Sequence, residues 1–455
     1  MKIKDRRVIL NAQKASYPTE PPFGPEGNAL YQSVTDLLKT AYPAPDGNYL
    51  GALIKPGDKV VIKPNVVKAS HERKADEWEQ VVTHGAVVRA VIDHVLTALK
   101  GEGEVVIAEA PQTDTPFMPA MERCGIKNVV DHYQNATPVK VTLLDLRKEE
   151  WVAKDGIVVK RTELPGDPLG YKEIDLRGQS AFCEVENSQA PFYGADYDTS
   201  KTAKHHSGGR HEYLISNTIL ECDVLINLPK LKTHKKTGMT CAMKNLVGVN
   251  GDKNYLPHYR LGDPASGGDQ FSKHDFKTAS ERSLVTVWKK AMYRLPGFVN
   301  ECFRPVKTFM RLFYGDTKNT VRSGNWYGND TCWRMVWDLN KAILTHTKAR
   351  HYLTIVDAVI AGEGDGPLAP DRKECGWLAM GEDPQALDRV LTELMGFDPY
   401  KLGFLKRPLE GELPAPEVIF VSEEAKEQIL RTPPFEPHFG WKGHIELPKD
   451  AKKVL

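Results

Sequence analysis

Three features of the sequence predict an α/β fold whose largely parallel sheet is built from βαβ units flanked by helices. A strand, a helix and a second strand follow one another between residues 58 and 108, an order typical of parallel strands joined by a right-handed crossover. Two further apolar strands, at residues 223–228 and 352–360, each lead into a segment of charged and turn-forming residues. A small-strand region and a helical hairpin are predicted as insertions.

The first βαβ unit begins with the strand at residues 58–67, whose β-branched residues lead into a polar turn around Lys63. The following helix is predicted to start from the N-cap Thr83 and to stop before Gly101. The strand at residues 104–108 then opens into a polar stretch that begins with Glu109. Because ligands bind beyond the carboxyl ends of parallel strands, these two turns are expected to face one cleft.

The later elements are less regular. Residues 143–192 predict short antiparallel strands, and residues 238–249 predict a helix after a lysine-rich loop. Further helices are expected at residues 279–295, 298–314 and 331–344, and another follows the cap Asp383. The proline-rich tail at residues 433–448 predicts an extended segment that wraps the protein.

At 455 residues the chain is long enough for several packed regions, and we divide it into five. They are an N-terminal α/β region (1–142), an irregular short-strand insertion (143–212), an α/β core with the anion-binding loop (213–254 and 345–432), a loop with an amphipathic helical insertion (255–344) and an extended tail (433–455).

The composition excludes several classes of protein. A net charge of +1 provides no overall attraction to nucleic acid, so no nucleic-acid partner is expected. The seven cysteines form no C-x-x-C pair, so neither a zinc ribbon nor an iron–sulfur cluster is expected. The N-terminus lacks the apolar run of a signal peptide, and no stretch reaches the roughly 20 apolar residues of a transmembrane helix. A cytoplasmic location is expected.

The densest group of chemically active residues lies at residues 229–245, PKLKTHKKTGMTCAMKN. A strand that leads through such a loop into a helix presents ammonium groups, hydroxyls and backbone N–H groups together, which is what phosphate or carboxylate binding requires. The alternative is a lysine cluster that solvates a surface turn. The predicted anion-binding residues are Lys63, Asn65, Lys230, Thr233, Lys235, Thr237, Thr240, Lys244, Asn245 and Lys253.

The acidic counterpart is VDAVIAGEGDGP at residues 356–367, in which Asp357, Glu363 and Asp365 are candidate ligands for Mg²⁺ or Mn²⁺. The alternative is a turn-forming Asp-Gly loop without a metal. His234 and Lys232 are the candidate catalytic residues. Because neighbouring ammonium groups should disfavour the protonated form of His234, this histidine is the predicted proton carrier, with a structural role as the alternative.

The blocks IKPNVV, LPKLKTHKKTGMTCAMKNLVGVNGDK, VDAVIAGEGDGP and GEDPQALDRVLTELMGFDP, taken in this order, resemble the bacterial and archaeal family catalogued as domain of unknown function 362. The resemblance covers residues 60–402 and implies an α/β fold with its motifs on strand-end loops. Some relatives carry an added ferredoxin-type domain, which implies a redox role, but this chain lacks those cysteines. The segment VTHGAVVRAV is also similar to the N-terminal domain of lactate racemase-like proteins, at the level of fold.

Three functions therefore remain open. The first is an enzyme that acts on a phosphorylated or carboxylated small molecule, with or without a divalent metal. The second is a redox enzyme supplied by an external electron donor, and the third is a ligand-binding or assembly protein without catalytic activity. The sequence does not name the substrate or the reaction.

Residues 279–314 combine bulky apolar residues with an excess of lysine and arginine. Such amphipathic helices predict either packing on the protein core or on a second subunit of a homo-oligomer, or peripheral contact with an anionic membrane surface. Co-sedimentation with anionic vesicles, which should weaken as salt screens the charges, distinguishes membrane contact from packing.

Overall fold

The computed structural model describes residues 5–154, 157–185, 190–194, 198–273, 320–345, 350–413 and 415–448. The predicted helical hairpin at residues 279–314 lies outside the described residues, so its role as a lid, an interface or a membrane element stays a prediction. In the described part of the chain, no helix is long and apolar enough to cross a bilayer.

A large central sheet organises the fold. The strands in the described residues are β1 Arg7–Ala12, β2 Lys59–Pro64, β3 Glu104–Glu109, β4 Lys140–Asp145, β5 Glu149–Lys154, β6 Ile157–Glu163, β7 Tyr171–Asp175, β8 Phe192–Tyr193, β9 Glu212–Ser216, β10 Val224–Leu228, β11 Lys230–His234, β12 Gly238–Thr240, β13 Tyr259–Arg260, β14 His351–Asp365, β15 Ala369–Gly381 and β16 Glu417–Phe420. The strands of the central sheet lie in the order β16-β1-β15-β14-β10-β2-β3-β4. Strand β11 also pairs with β14, and β12 pairs with β11.

Helices cover both faces of this sheet. They are α1 Ala29–Ala41, α2 Gly85–Leu99, α3 Phe117–Arg123, α4 Ile126–Tyr133, α5 Thr199–His205, α6 Asn217–Glu221, α7 Ala242–Asn245, α8 Cys332–Thr345, α9 Pro384–Leu394, α10 Gly403–Lys406 and α11 Glu423–Arg431. One apolar layer packs α1, α2 and α4 against the sheet, and a second packs α7, α8 and α9 on the other face. The predicted α/β class is confirmed, because β14, β10, β2, β3 and β4 are parallel neighbours.

The sheet also contains an antiparallel edge that the sequence analysis missed. Strand β14 pairs antiparallel with β15 along most of its length, and β15 pairs antiparallel with β1. The acidic segment that was predicted as a turn-rich loop is the second half of β14, so that prediction is wrong. Glycines 362 and 364 lie within this paired strand, which weakened the strand signal in the sequence.

Three small two-stranded sheets involve the region 143–212, which was predicted as a short-strand insertion, but two of their strands, β9 and β13, lie at or beyond its end. Strand β5 pairs with β6, β7 with β9, and β8 with β13, all antiparallel. The tail contributes buried side chains to the main core, including Phe435 and Trp441, which agrees with the predicted wrapping segment.

Strands β10 and β11 form a nearly continuous line, interrupted at Pro229. The first half pairs with β14 and β2, whereas the second half pairs with β14 and β12. The lysine-rich segment is therefore a buried strand and not the strand-end loop that the sequence predicted. The expected helix at residues 238–249 is also corrected, because it divides into β12, the short α7 and a 3₁₀ turn at Leu246–Val249.

Helix α2 begins one residue later than the predicted cap suggests. The N-cap is His84, whose side chain accepts a hydrogen bond from the Ala86 N–H. The Thr83 hydroxyl instead donates to the Leu228 carbonyl at 2.7 Å and accepts from the Asn65 N–H at 2.9 Å. Thr83 therefore ties the end of β10 to the turn after β2, which fixes one wall of the site described below.

Candidate functional site

A cavity of about 130 Å³ lies at the carboxyl ends of β2 and β3, where β11, β12 and α7 close over them. This is the position at which parallel sheets bind ligands. Many of its lining side chains are polar or charged. The polar side chains that line it are Lys63, Asn65, Glu109, Gln112, Lys232, His234, Thr240, Lys244, Asn245, Lys253 and His258.

The floor of the cavity contains a buried ion pair between Lys63 on β2 and Glu109 on β3. The Lys63 Nζ lies 2.9 Å from both carboxylate oxygens of Glu109. The same carboxylate accepts hydrogen bonds from the Val66 and Ala110 N–H groups at 2.8 and 3.0 Å. Burial lowers the pKa of Lys63, and the Glu109 charge acts in the opposite direction.

Gly248 makes room for this ion pair. A Cβ atom at position 248 would lie 2.2 Å from a Glu109 carboxylate oxygen and 2.7 Å from the Lys63 Nζ. The Gly248 carbonyl also accepts a hydrogen bond from the Ala110 N–H at 2.8 Å. Any side chain at this position would therefore displace the pair from the cavity floor.

Three asparagines form a hydrogen-bonded chain behind the lysines. Asn245 accepts from the Asn65 amide at 2.7 Å and donates to the Asn227 Oδ1 at 2.8 Å. The Asn65 Oδ1 in turn accepts from the Lys232 Nζ at 2.9 Å. Because each amide is held by a neighbour, the Lys232 ammonium is positioned by a rigid polar network.

Positive charge exceeds negative charge around the cavity. Lys63, Lys232, Lys244 and Lys253 line it together with one carboxylate, that of Glu109. Burial lowers the pKa of Lys232 well below its ordinary value and that of Lys253 to about 7. Burial also lowers the pKa of Lys244. Amines in this environment are stabilised as ammonium ions when an anion enters.

Several hydrogen-bond donors are left without acceptors. Lys253 donates to the Ala110 and Asn250 carbonyls, and Lys232 donates to Asn65 and to the Val81 carbonyl, so each lysine has one further N–H to donate when it is protonated. The Lys244 amine has no hydrogen-bond partner among the described residues. The Thr240 hydroxyl, on a residue only 3 % exposed, also has none. Such donors inside a cavity are the features of an anion site.

Two histidines in the wall have complementary proton states. The His234 Nδ1 accepts from the Lys236 N–H at 3.0 Å, so neutral His234 carries its proton on Nε2. The His258 Nδ1 lies 2.9 Å from the Leu256 carbonyl and donates to it, which leaves Nε2 as an acceptor. Burial and the Lys244 charge lower the pKa of both, that of His258 to about 3. His234 therefore offers a donor and His258 a base.

Lys230 and Asp357 form a separate buried pair outside the cavity wall. The Lys230 Nζ lies 2.7 Å from the Asp357 carboxylate, and both side chains are 0 % exposed. The carboxylate also accepts from the Tyr17 hydroxyl at 2.5 Å and the His84 N–H at 3.0 Å. The pair therefore joins β11, β14, α2 and the N-terminal segment, and its contacts are those of a structural pair.

The predicted metal ligands are not brought together. Asp365 pairs with Arg73 at 2.7 Å, and Glu363 pairs with Lys373 at 3.0 Å. Within the described ranges, one group of three side chains brings potential ligand atoms within 4.8 Å of one another, and it consists of Glu173, His205 and Glu212. A shared metal site of Asp357, Glu363 and Asp365 does not agree with this geometry.

Three other predicted anion-binding residues also lie outside the cavity wall. The Thr233 hydroxyl donates to the Gly364 carbonyl, and the Thr237 hydroxyl donates to the Met239 carbonyl. Lys235 is held through its backbone, which donates to the Gly366 carbonyl and accepts from the Trp441 indole. Side chains alternate along β11, so Lys232 and His234 face the cavity whereas Thr233 does not, and Lys235 lies beyond the end of the strand.

Glu109 was expected to line the cleft but was given no binding or catalytic role, and His258 was not selected as a site residue. Glu109 lay in a recognised strand-end turn, and its position directly after an apolar strand was a usable signal. His258 lies in a glycine- and proline-rich stretch without periodicity, so only the folded chain identifies it as a wall residue.

The fold and the site define an α/β protein with a lysine-lined cavity at the ends of its parallel strands. A model of the family described as Domain of unknown function (DUF362) matches residues 60–172 and 179–393. The chain therefore belongs to this family. The description of the family names no reaction.

Individual relatives are more distant. A thylakoid-associated protein of Synechocystis sp. is 26% identical over 208 residues, which is 46% of this chain and 41% of that protein. A solved protein from Thermotoga maritima has a TM-score of 0.34 at 10% identity, covering 79% of this chain and 56% of that one. The lactate racemase apoprotein from Thermoanaerobacterium thermosaccharolyticum has a TM-score of 0.29 at 11% identity, covering 78% and 51%. The chain thus spans about half or less of each relative, and these likenesses carry no functional argument.

Proposed function

We propose that this protein is an enzyme that binds a small phosphorylated or carboxylated molecule in the lysine-lined cavity. The observation that carries the proposal is the excess of lysines, three of them buried, over carboxylates around one cavity. An isolated ammonium group is costly to bury, so the described arrangement favours a site completed by an anionic ligand.

The residues divide by role. Lys232, Lys244 and Lys253 bind the anionic group, with Thr240 and the His234 Nε2–H as further donors. Lys63 is already paired with Glu109 and contributes charge instead of a free donor. The His258 Nε2 is an acceptor for a hydrogen bond from the substrate. We assign no metal to this reaction, because the carboxylates proposed from the sequence have cationic partners elsewhere.

Sulfate is expected to stabilise the protein against thermal unfolding, and the Lys232→Met, Lys244→Met double variant is expected to lose this effect. Methionine keeps most of the buried volume and removes the charge. A ligand at 100 times its Kd adds about 2.7 kcal/mol to the free energy of unfolding. The measurement is the melting temperature over a sulfate titration at constant ionic strength.

Lys235→Met is the matched control for this double variant, because Lys235 belongs to the same segment but does not line the cavity. It should respond to sulfate as the unaltered protein does. Equal stabilisation of the double variant would place the anion site elsewhere. Turnover of phosphorylated sugars and small carboxylates then separates an enzyme from a binding protein.

Sulfate binding is expected to take up protons and to weaken as the pH rises above about 7. Lys253 has a pKa of about 7 in the folded protein against an ordinary value of 10.5, and a bound dianion raises it again. In this pH window the free protein therefore binds fewer protons than the complex, and affinity falls with pH. Sulfate itself does not titrate there, so the lysines account for the change.

Calorimetric titration in buffers of different ionisation enthalpy measures this uptake directly. The Lys253→Met variant should take up fewer protons than the unaltered protein. Heats that do not depend on the buffer between pH 7 and pH 9 would contradict the assignment of buried, partly neutral lysines to the anion site.

A further inference from the structure

The Lys244 amine differs from the other lysines of the cavity. Lys63 has a carboxylate partner, and Lys232 and Lys253 each donate two hydrogen bonds. Lys244 lies on the short helix α7, is partly exposed, and lines the cavity without a hydrogen-bond or ion-pair partner in the described part of the chain. It is therefore the cavity lysine whose lone pair is least engaged.

The position of Lys244 is fixed although its amine is not. The first two N–H groups of α7, from Ala242 and Met243, donate to the Asp388 carboxylate at 2.8 and 2.9 Å. The helix ends at Asn245, whose side chain belongs to the chain of hydrogen-bonded asparagines. The backbone on both sides of Lys244 is therefore anchored, and its side chain is directed into the cavity by rigid neighbours.

The two histidines lie near this amine. Among the charged groups that act on His234 and His258, Lys244 has the largest influence on the pKa of each. The His258 Nε2 is an acceptor, and the His234 Nε2–H is a donor. A base, a donor and an unpartnered amine are thus collected around one space that already attracts anions.

We propose that Lys244 forms an imine with the carbonyl group of a small anionic substrate, either a 2-oxo acid or a phosphorylated aldehyde. The inference rests on the proposed function and refines one of its roles: Lys232 and Lys253 bind the carboxylate or phosphate, and Lys244 reacts with the carbonyl group. A cavity of about 130 Å³ suits a small molecule of this kind.

Imine formation requires only the amine, the carbonyl group of the substrate and one proton from solvent. The Nζ lone pair attacks the carbonyl carbon, the carbon–oxygen double bond opens, and a proton moves from nitrogen to oxygen to give a carbinolamine. The His258 Nε2 accepts a hydrogen bond from the attacking nitrogen, and solvent carries the proton from the nitrogen to the oxygen. The hydroxyl then leaves as water after taking up one proton from solvent, and a protonated imine remains. His234 donates a hydrogen bond to the oxygen on which charge develops.

Burial supports the nucleophile. Desolvation lowers the pKa of Lys244, which increases the fraction of neutral amine at neutral pH. Cys332, a buried neighbour, acts in the opposite direction.

Borohydride trapping tests the inference. The full chain is incubated with pyruvate, glyoxylate or glyceraldehyde 3-phosphate, with and without sodium borohydride, and the intact mass is measured. Borohydride reduces an imine to a stable secondary amine, so at least one of these compounds should add covalently only when the reductant is present. Peptide mapping should locate the adduct on Lys244, and sulfate should compete with its formation.

Lys244→Arg is the discriminating variant, because it keeps a positive charge but has no nucleophilic amine. It should lose the adduct, whereas Lys235→Arg, at a residue that does not line the cavity, should retain both the adduct and the stabilisation by sulfate. No adduct with any of the three compounds, or an adduct on another lysine, would overturn the imine. If sulfate still stabilises the unaltered protein in that case, the anion-binding function survives; if it does not, both proposals fail. Peptide mapping of the unaltered chain decides the question even if Lys244→Arg does not fold.

Discussion

The Asp357→Asn variant is expected to lose about 3–5 kcal/mol of its free energy of unfolding, because it leaves Lys230 buried without a counter-ion. The lost carboxylate is also the acceptor for Tyr17 and for the His84 N–H. Breaking one side of a fully buried pair costs far more than removing a surface charge, since the remaining ammonium cannot be solvated.

Chemical denaturation at pH 7 measures this loss. Asp371→Asn is the matched control, because it makes the same chemical change on the neighbouring strand β15, where the side chain is 68 % exposed and 3.8 Å from Lys74. It should change the free energy of unfolding by no more than about 0.5 kcal/mol. A loss below about 1 kcal/mol for Asp357→Asn would show that the pair is not the structural element inferred here.

The sign of the pH dependence gives a second check. Burial lowers the pKa of Lys230, and the Asp357 charge opposes this effect, so removal of the carboxylate lowers the pKa further. The unfolded variant then binds more protons than the folded one between the lowered pKa and the ordinary value of 10.5. Its stability should therefore rise with pH across that interval, and rise more steeply than that of the unaltered protein.

The Glu109→Gln variant is expected to be destabilised by a similar amount, about 3–5 kcal/mol, because it removes the carboxylate from a cavity lined by four lysines. Glutamine also places an amide N–H₂ where the Val66 and Ala110 N–H groups require an acceptor. Lys63 loses its partner, and the mutual repulsion of the cavity lysines is no longer compensated.

Sulfate distinguishes the two variants. In Glu109→Gln an anion restores negative charge to the cavity, so sulfate should raise the melting temperature more than it does in the unaltered protein. In Asp357→Asn the unpaired lysine lies outside the cavity wall, and the sulfate effect should stay unchanged. The melting temperature of both variants over the same sulfate titration checks this contrast. An equal response of the two would mean that the cavity is not where the anion binds.

Much of the site was accessible from the sequence. Lys63, Asn65, Lys232, Lys244 and Lys253 were all selected as anion-binding residues, and all line one cavity. Lys63, Asn65 and Lys232 lie in or directly after apolar strands, and parallel strands bring their carboxyl ends to one edge. Lys244 and Lys253 lie on a short helix and a 3₁₀ turn and were selected because they continue the same polar pattern along the chain.

The separation of Lys230 from Lys232 could not be predicted in the same way. Both side chains are buried on the same strand. Lys230 is opposite Asp357 on the paired strand β14 and forms an ion pair with it, whereas the Lys232 Nζ donates a hydrogen bond to Asn65. The segment was interpreted as a loop because lysines and threonines are common on exposed turns. Its strand character depends on pairing with two other strands. Strand β14 is distant along the chain, and β12 is too short to recognise from the sequence.

The sequence by itself determined the α/β class, the family, and which polar segments follow the parallel strands. These features could be recognised because hydrophobic periodicity and turn chemistry act over short stretches of chain. Only the tertiary structure decided which charged groups neutralise one another. Whether a lysine is paired, as Lys63 and Lys230 are, or left facing a cavity, as Lys244 is, depends on carboxylates that the fold brings from far along the chain. Electrostatic interaction depends on distance and burial, and neither is encoded in local sequence.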